Sequence, residues 1–360
     1  MVVNSNPRIE LEASVRRAKE ALTGYKRTSL SIIVRGRSEV SRRLKVALVR
    51  ELEIAYSSGA TIRFVKYASP YRWANACQDL FETGRLDILD YAVYQLHAIY
   101  PDLTYLATLR ALFDAMPRQV PSPLAFCDDP TAEIQIVRRP GCENVLLCFC
   151  AGQATLGLPV NFVHQWLGRL PTSLVYIKDF RELSGGCGFP TLGPDRASAV
   201  VAFRRIAGDI GAKRIYTFGV SLGGYPALYY GLKLGAEAVL SLGGATDLTP
   251  DFVETLGRFQ KEYLNLREVA PDYTKNLREC YVSAQNKPRL LIAYSTRNPR
   301  DRQQAERMEG LQNVELFAVD HAHHNVIDPL IREGKLKPLL DRLLSNDTSQ
   351  SSAATIAPTR

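Results

Sequence analysis

Residues 215–231 read IYTFGVSLGGYPALYYG, and the reading of Ser221 within them decides what kind of fold this chain adopts. An apolar run, Ile215 to Val220, leads into Ser221-Leu222-Gly223-Gly224 and then into a segment with helical spacing. A strand, a sharp turn and a helix in that order hold a serine hydroxyl clear of its neighbours. Small residues two before and two after it, here Gly219 and Gly223, let the strand and helix pass closely. Five letters alone do not settle the matter, so the flanking chain has to.

Working outward, EIQIVRR (133–139) and NVLLCFC (144–150) flank Pro140-Gly141 as two strands joined by a turn would. SLVYIKD (173–179), AVLSLGG (238–244), RLLIAYS (289–295) and VELFAV (314–319) read as further strands, with helical spacing over 196–211 and 223–234. Short apolar strands alternating with helices predict an α/β class, a mostly parallel sheet covered by helices on both sides. Active groups in such sheets gather beyond the carboxyl ends of the strands. There RIYTFGV delivers Ser221, RLLIAYS delivers Asp301, and VELFAV delivers Asp320-His321-Ala322-His323-His324-Asn325. AVLSLGG delivers a competing acid, Asp247, whereas Asp179 precedes the serine and is read as a loop cap.

With Ser, Asp and His in that order, each after a strand, residues 131–343 resemble the α/β-hydrolase superfamily. More narrowly, YIKDF (176–180), GGCGFPTLGP (185–194) and HHNVIDPLIREGKL (323–336) resemble bacterial hydrolase modules found beside glycosyltransferase or tetratricopeptide regions. The resemblance implies Ser221 as nucleophile, His324 as general base and then acid, and Asp301 as the carboxylate behind the imidazole. His324 stands just before the last helix begins, where those modules place their histidine; His323 and His321 are its alternatives. Asp301 is preferred to Asp247 because its strand immediately precedes the histidine strand. The oxyanion hole is implied to use the backbone N–H of Leu222 and a second from CAGQATLG, at Ala151, Gly152 or Gln153. That loop departs from the HGGG of many lipases.

The implied activity is a serine hydrolase acting on a carboxylic ester, without a cofactor; transfer of the acyl group to another acceptor would use the same intermediate. No long apolar insertion resembles a lipase lid, which favours a polar small-molecule or glycan ester, such as an acylated sugar. The loop 184–194 is expected to be small, flexible and near the site, with Gln153, Tyr225 and Phe189 either lining a pocket or packing. A metal at the three-histidine loop lacks a second ligand group at suitable spacing. The alternative of a different class is an interaction protein with a passive hydrolase-type body.

Of the net charge of +8, residues 1–72 hold 15 Lys/Arg against 6 Glu, so the basic excess sits in the N-terminal region. It reads as a solvated helical face or as contact with an anionic partner. Region 1–120 is expected to be mainly helical. Helix-like spacing covers 8–22 and 39–57, with β-like runs at SLSIIVR (29–35) and TIRFVKY (61–67). Leu86, Leu89, Val93, Leu96 and Ile99 share one helical face, and Leu103, Leu106, Leu109, Leu112 and Met116 another. The first of these has the flavour of a tetratricopeptide helix pair, without a second copy. Proline-rich 116–130 reads as a linker and polar 345–360 as a disordered tail. Seven scattered cysteines read as reduced, Cys187 the most exposed, in a cytoplasmic protein lacking a signal-like or membrane-spanning apolar run.

Overall fold

The structure, a computed structural model, describes residues 30–62, 65, 68–118, 123–253 and 260–345, with backbone alone at 30–40, 251, 253 and 260–263. The chain divides into two units, Met1–Asp114 and Ala115–Arg360.

In the first unit, α1 (Leu30–Ser58), α2 (Pro70–Glu82), α3 (Leu86–Ile99) and α4 (Thr104–Asp114) pack on one another. Each turns its apolar stripe inward: Leu48 and Leu52 from α1, Trp73, Cys77 and Leu80 from α2, Leu89, Val93 and Leu96 from α3, Leu106, Leu109 and Leu112 from α4. Full burial of such side chains is worth about 1.5–3 kcal/mol each, enough to hold helices of this length. Ile99 ends its helix half exposed, and Phe113 takes the inward place expected of Met116. SLSIIVR was expected as a strand, but Leu30–Arg35 is helix, continuous with α1. Its β-branched residues carry a preference of well under 1 kcal/mol each, which a 29-residue helix overrides. Within 61–67, the described Thr61, Ile62 and Val65 are not in strand. The helix expected at 8–22 and residues 346–360 lie outside the described residues.

The second unit is built on seven strands: β1 (Ile134–Val137), β2 (Asn144–Phe149), β3 (Ser173–Ile177), β4 (Arg214–Val220), β5 (Ala238–Leu242), β6 (Arg289–Ser295) and β7 (Val314–Val319). Their order is β1-β3-β2-β4-β5-β6-β7, parallel throughout except for β1. The turn at Pro140-Gly141 does not make a hairpin, because β1 pairs antiparallel with β3 and β2 runs on the far side of β3. Helices α5 (Val160–Leu167), α6 (Arg196–Ile210), α7 (Gly224–Leu234), α8 (Gln260–Val269), α9 (Leu277–Ser283), α10 (Pro299–Glu306), α11 (Ile327–Arg332) and α12 (Leu336–Leu344) flank it, with one helical turn at Pro250–Val253.

Central strands are buried over most of their length, β3 and β5 at every residue. Register sets the site. Phe149 pairs with Ile177 and Gly219, Val220 with Leu242, Leu242 with Ala293, and Ser295 with Val319. The carboxyl ends therefore line up, and the loops after β2, β3, β4, β5, β6 and β7 meet along one rim.

Among the described residues no helix is long and apolar enough to cross a membrane, and no group of three or more His, Cys, Asp or Glu is arranged to hold a metal ion. All seven cysteines are unpaired. Cys127, not Cys187, is the exposed one, since Cys187 is half-buried in a loop that packs on the core.

Candidate active site

Ser221 follows the last residue of β4 and opens a short 3-10 turn, Ser221–Gly223, that runs straight into α7. Its φ is +53°, a left-handed conformation that a serine adopts only at a cost of about 1–3 kcal/mol. The two flanking glycines make the turn possible. A Cβ on Gly219 would lie 2.0 Å from the carbonyl oxygen of Gly223, and one on Gly223 would lie 2.1 Å from that of Phe149. Strand, turn and helix thus close to contact, and the hydroxyl is left at the top of the turn. This strained elbow stands on a central strand of a mostly parallel sheet whose one antiparallel strand is at the edge. The fold resembles that of α/β hydrolases.

On this framework three far-separated side chains meet. Ser221 Oγ lies 2.7 Å from His324 Nε2, and His324 Nδ1 lies 2.7 Å from Asp301 Oδ1. Asp301 is buried, its side chain 6% exposed, in the first turn of α10; His324 is 22% exposed in the loop after β7. The imidazole lies over Gly243, where an added Cβ would come within 3.7 Å of the ring. Asn325 anchors the same loop by donating from Nδ2 to the carbonyl of Gly157 at 2.7 Å.

The other two histidines do not join this chain. Their rings meet edge to face at 5.3 Å, and the His321 carbonyl accepts from Ser295 Oγ. Burial, then the charge of His323, push the His321 imidazole below the ordinary histidine range.

Asp247, the competing acid, is fully buried and engaged elsewhere. Its Oδ1 accepts from Thr249 N at 2.8 Å and Thr249 Oγ1 at 2.6 Å, and its Oδ2 pairs with the Arg307 guanidinium. Gln304, one helical turn after Asp301 and 3% exposed, completes this clasp. Its Oε1 accepts from Thr246 N at 2.6 Å and Asp247 N at 2.9 Å, while its Nε2 donates to the Asp247 carbonyl at 3.1 Å. The helix that carries Asp301 is thereby locked to the loop after β5. Neither Gln304 nor Arg307 stands out in the sequence, since glutamine and arginine are ordinary on a helix. Gln304→Ala leaves two backbone N–H groups buried and unpaired. It is expected to lower stability by about 2–4 kcal/mol and Tm by roughly 5–15 °C, with a fall in kcat larger than any change in KM. Thermal denaturation and steady-state kinetics on one preparation check both.

Of the loop donors considered after β2, Ala151 N–H is spent on the Thr155 carbonyl at 2.6 Å. Gln153 N–H is accepted by Glu182 Oε1 at 3.3 Å, which leaves Gly152 N–H as the remaining donor of the three. Gly152 lies against the turn, where an added Cβ would be 3.3 Å from Leu222 Cδ1. Gln153 and Ala154 have φ of +58° and +57°, and Glu182 and Ser184 have +55° and +48°. With Ser221 they are five of the six non-glycine positive-φ residues among those described. Such strain persists only where the surrounding structure enforces it, and it gathers at sites of chemistry.

Asp179 caps a loop, as its position suggested: its carboxylate accepts from the N–H groups of Arg181, Leu183 and Gly185. The expectation of a flexible 184–194 loop is corrected. Tyr273 and Tyr230 donate from their hydroxyls to the carbonyls of Ser184 and Gly185 at 2.6 and 2.7 Å, and Arg196 donates to that of Gly186. Phe189, 1% exposed, packs in tilted and edge-to-face contact with Phe149, Phe203 and Tyr230. Tyr225, also 1% exposed, donates to the Tyr273 carbonyl. Both are packing residues, and of the three pocket candidates only Gln153 is exposed. A cavity of about 640 Å³ along α6 and α7, lined by Cys187, Arg196, Arg204, Tyr229 and Lys233 among others, includes none of Ser221, Asp301 or His324.

No protein-family model and no curated protein matches the chain. Similar solved structures include an α/β hydrolase enzyme from the metagenome of sediments from the lagoon of Mar Chica, Morocco, at 14% identity over 59% of this chain and 94% of that one, with a TM-score of 0.41. The capsule O-acetyltransferase of Neisseria meningitidis serogroup A is similar at 12% identity over 62% of this chain and 96% of its own, TM-score 0.42. An esterase of Pyrococcus furiosus is similar at 16% identity over 57% and 82%, TM-score 0.39.

Proposed function

We propose that this protein is a serine hydrolase that cleaves carboxylic esters through an acyl-enzyme on Ser221. The observation that carries the reading is the unbroken hydrogen-bonded chain from Ser221 Oγ through His324 to the buried Asp301 carboxylate. Ser221 Oγ bonds to the ester carbonyl carbon as its proton passes to His324 Nε2. Asp301 accepts the hydrogen bond of Nδ1–H, which holds the tautomer and stabilises the imidazolium. The oxyanion is met by the N–H groups of Leu222 and Gly152, donors fixed by the fold before charge develops, whereas that of Gln153 is held by Glu182. Collapse breaks the C–O bond, and the alcohol leaves with the proton from Nε2. Water then repeats the sequence and releases the acid.

Exposed polar side chains beside the oxyanion loop, Gln153 and Glu182, favour polar esters, acylated sugars among them. The unpaired cysteines fit a reducing compartment such as the cytoplasm. In this reading the basic N-terminal region is a recruiting module for an anionic partner.

The test is acid quenching during turnover of p-nitrophenyl acetate, followed by peptide mass analysis. The expected result is one acetyl group on the peptide that holds Ser221. A folded protein that releases no nitrophenol and carries no acetyl group would point instead to an interaction protein.

A further inference from the structure

Glu182 lies in the loop after β3, three residues beyond Asp179, and nothing in the sequence marks it for a role at the site. Its backbone is left-handed and its carboxylate is turned onto the loop after β2. Glu182 Oε1 accepts from the backbone N–H of Gln153 at 3.3 Å, and a Cβ on Gly152 would lie 3.6 Å from the same oxygen. That added Cβ would also lie 3.3 Å from Leu222 Cδ1, so Gly152 sits between the serine turn and the Glu182 carboxylate.

The neighbouring charges do not cancel it. The Arg181 guanidinium is engaged by the Asp179 carboxylate and by the carbonyls of Cys187 and Gly188. Arg297, in the loop after β6, pairs with Asp320. Among the described residues no cation pairs with Glu182. An anionic oxygen therefore stands, exposed, beside the backbone donors that the ester carbonyl would use.

We infer that Glu182 determines specificity for esters that carry a positive charge, a quaternary ammonium or protonated amine, on the part of the substrate lying over residues 151–154. This rests on the ester-hydrolase reading and narrows it. The carboxylate attracts such a group and repels an anionic one. Because the group is exposed, the attraction is modest and screened by salt.

The test uses ester pairs matched in shape and differing by one charge. One pair is acetylcholine and 3,3-dimethylbutyl acetate, with the charge on the alcohol. The other is the p-nitrophenyl esters of trimethylglycine and of 3,3-dimethylbutanoic acid, with the charge on the acyl group. Comparing each ratio of kcat/KM between wild type and E182Q cancels the intrinsic reactivity of the esters. Glutamine keeps the acceptor for Gln153 N–H and removes only the charge.

In E182Q the cationic-to-neutral ratio is expected to fall about three- to fivefold in at least one pair. The neutral ester should turn over no more slowly, and the effect should shrink at high salt. A merely structural role would depress both members alike. The same acetylcholine pair is titrated by calorimetry into S221A and into S221A carrying E182Q, which needs no turnover. If no ester is hydrolysed but the binding ratio falls with E182Q, the hydrolase reading fails and the cation site stands. Ratios unchanged in both kinetics and binding overturn the assignment of Glu182.

Discussion

Ser221→Ala is expected to lower kcat/KM toward p-nitrophenyl acetate by about 10⁴–10⁶-fold and to abolish covalent capture by a fluorophosphonate. The loss follows from chemistry rather than from unfolding, because only the Oγ that faces His324 Nε2 at 2.7 Å is removed. The backbone strain at position 221 gives the same experiment a second arm. Glycine adopts a φ of +53° freely, so Ser221→Gly should match or exceed the wild type in stability by about 1 kcal/mol while being equally inactive. An inactive but more stable variant is the signature of strain maintained for function. Retained activity in either variant would move the nucleophile elsewhere in the chain.

Asp301→Asn is expected to reduce kcat by about 10³–10⁴-fold, with a much smaller change in KM. The amide keeps the shape of the carboxylate but no longer enforces the proton on His324 Nδ1 or balances the imidazolium. Stability should change little, because Asp301 Oδ2 is buried without a partner and desolvating a charge there already carries a cost. Asp247→Asn should behave in the opposite way. It loses the charge that pairs with the partly exposed Arg307 guanidinium and weakens the clasp on α10, so it should lower stability by about 1.5–3 kcal/mol and leave most of the turnover in the folded fraction. Urea unfolding and kcat, measured on both variants, separate an orienting acid from an anchoring one. Equal collapse of kcat in the two, corrected for the fraction folded, would remove the distinction.

Much of the second unit was legible in the chain. All seven strands lie within the apolar runs read for them, and β4, β6 and β7 coincide with RIYTFGV, RLLIAYS and VELFAV to the residue. Buried parallel strands read clearly because both faces must be apolar. The N-terminal region was less legible. SLSIIVR alternates poorly and is rich in β-branched residues, yet it continues α1, because local preference is weak beside the cooperativity of a long helix. The pairing of β1 with β3 across the chain could not be read from the turn between β1 and β2, since a turn constrains neighbours in sequence and not partners in the sheet.

Local pattern thus determined which segments of the second unit are strand, that Ser221 sits at a strand-to-helix turn, and that serine, acid and histidine follow in that order, each after a strand. Periodicity and chain order are properties of near neighbours, so they survive in the sequence. Tertiary structure alone decided that His324 rather than His321 or His323 faces the serine, that Asp301 rather than Asp247 lies behind it, that Phe189 and Tyr225 are core, and that Glu182 and Gln304 stand where they do. Carboxylates and imidazoles of one kind are chemically identical along the chain. What separates them is a distance of 2.7 Å to one particular atom, set by a strand register that brings together Ser221 and His324, 103 residues apart.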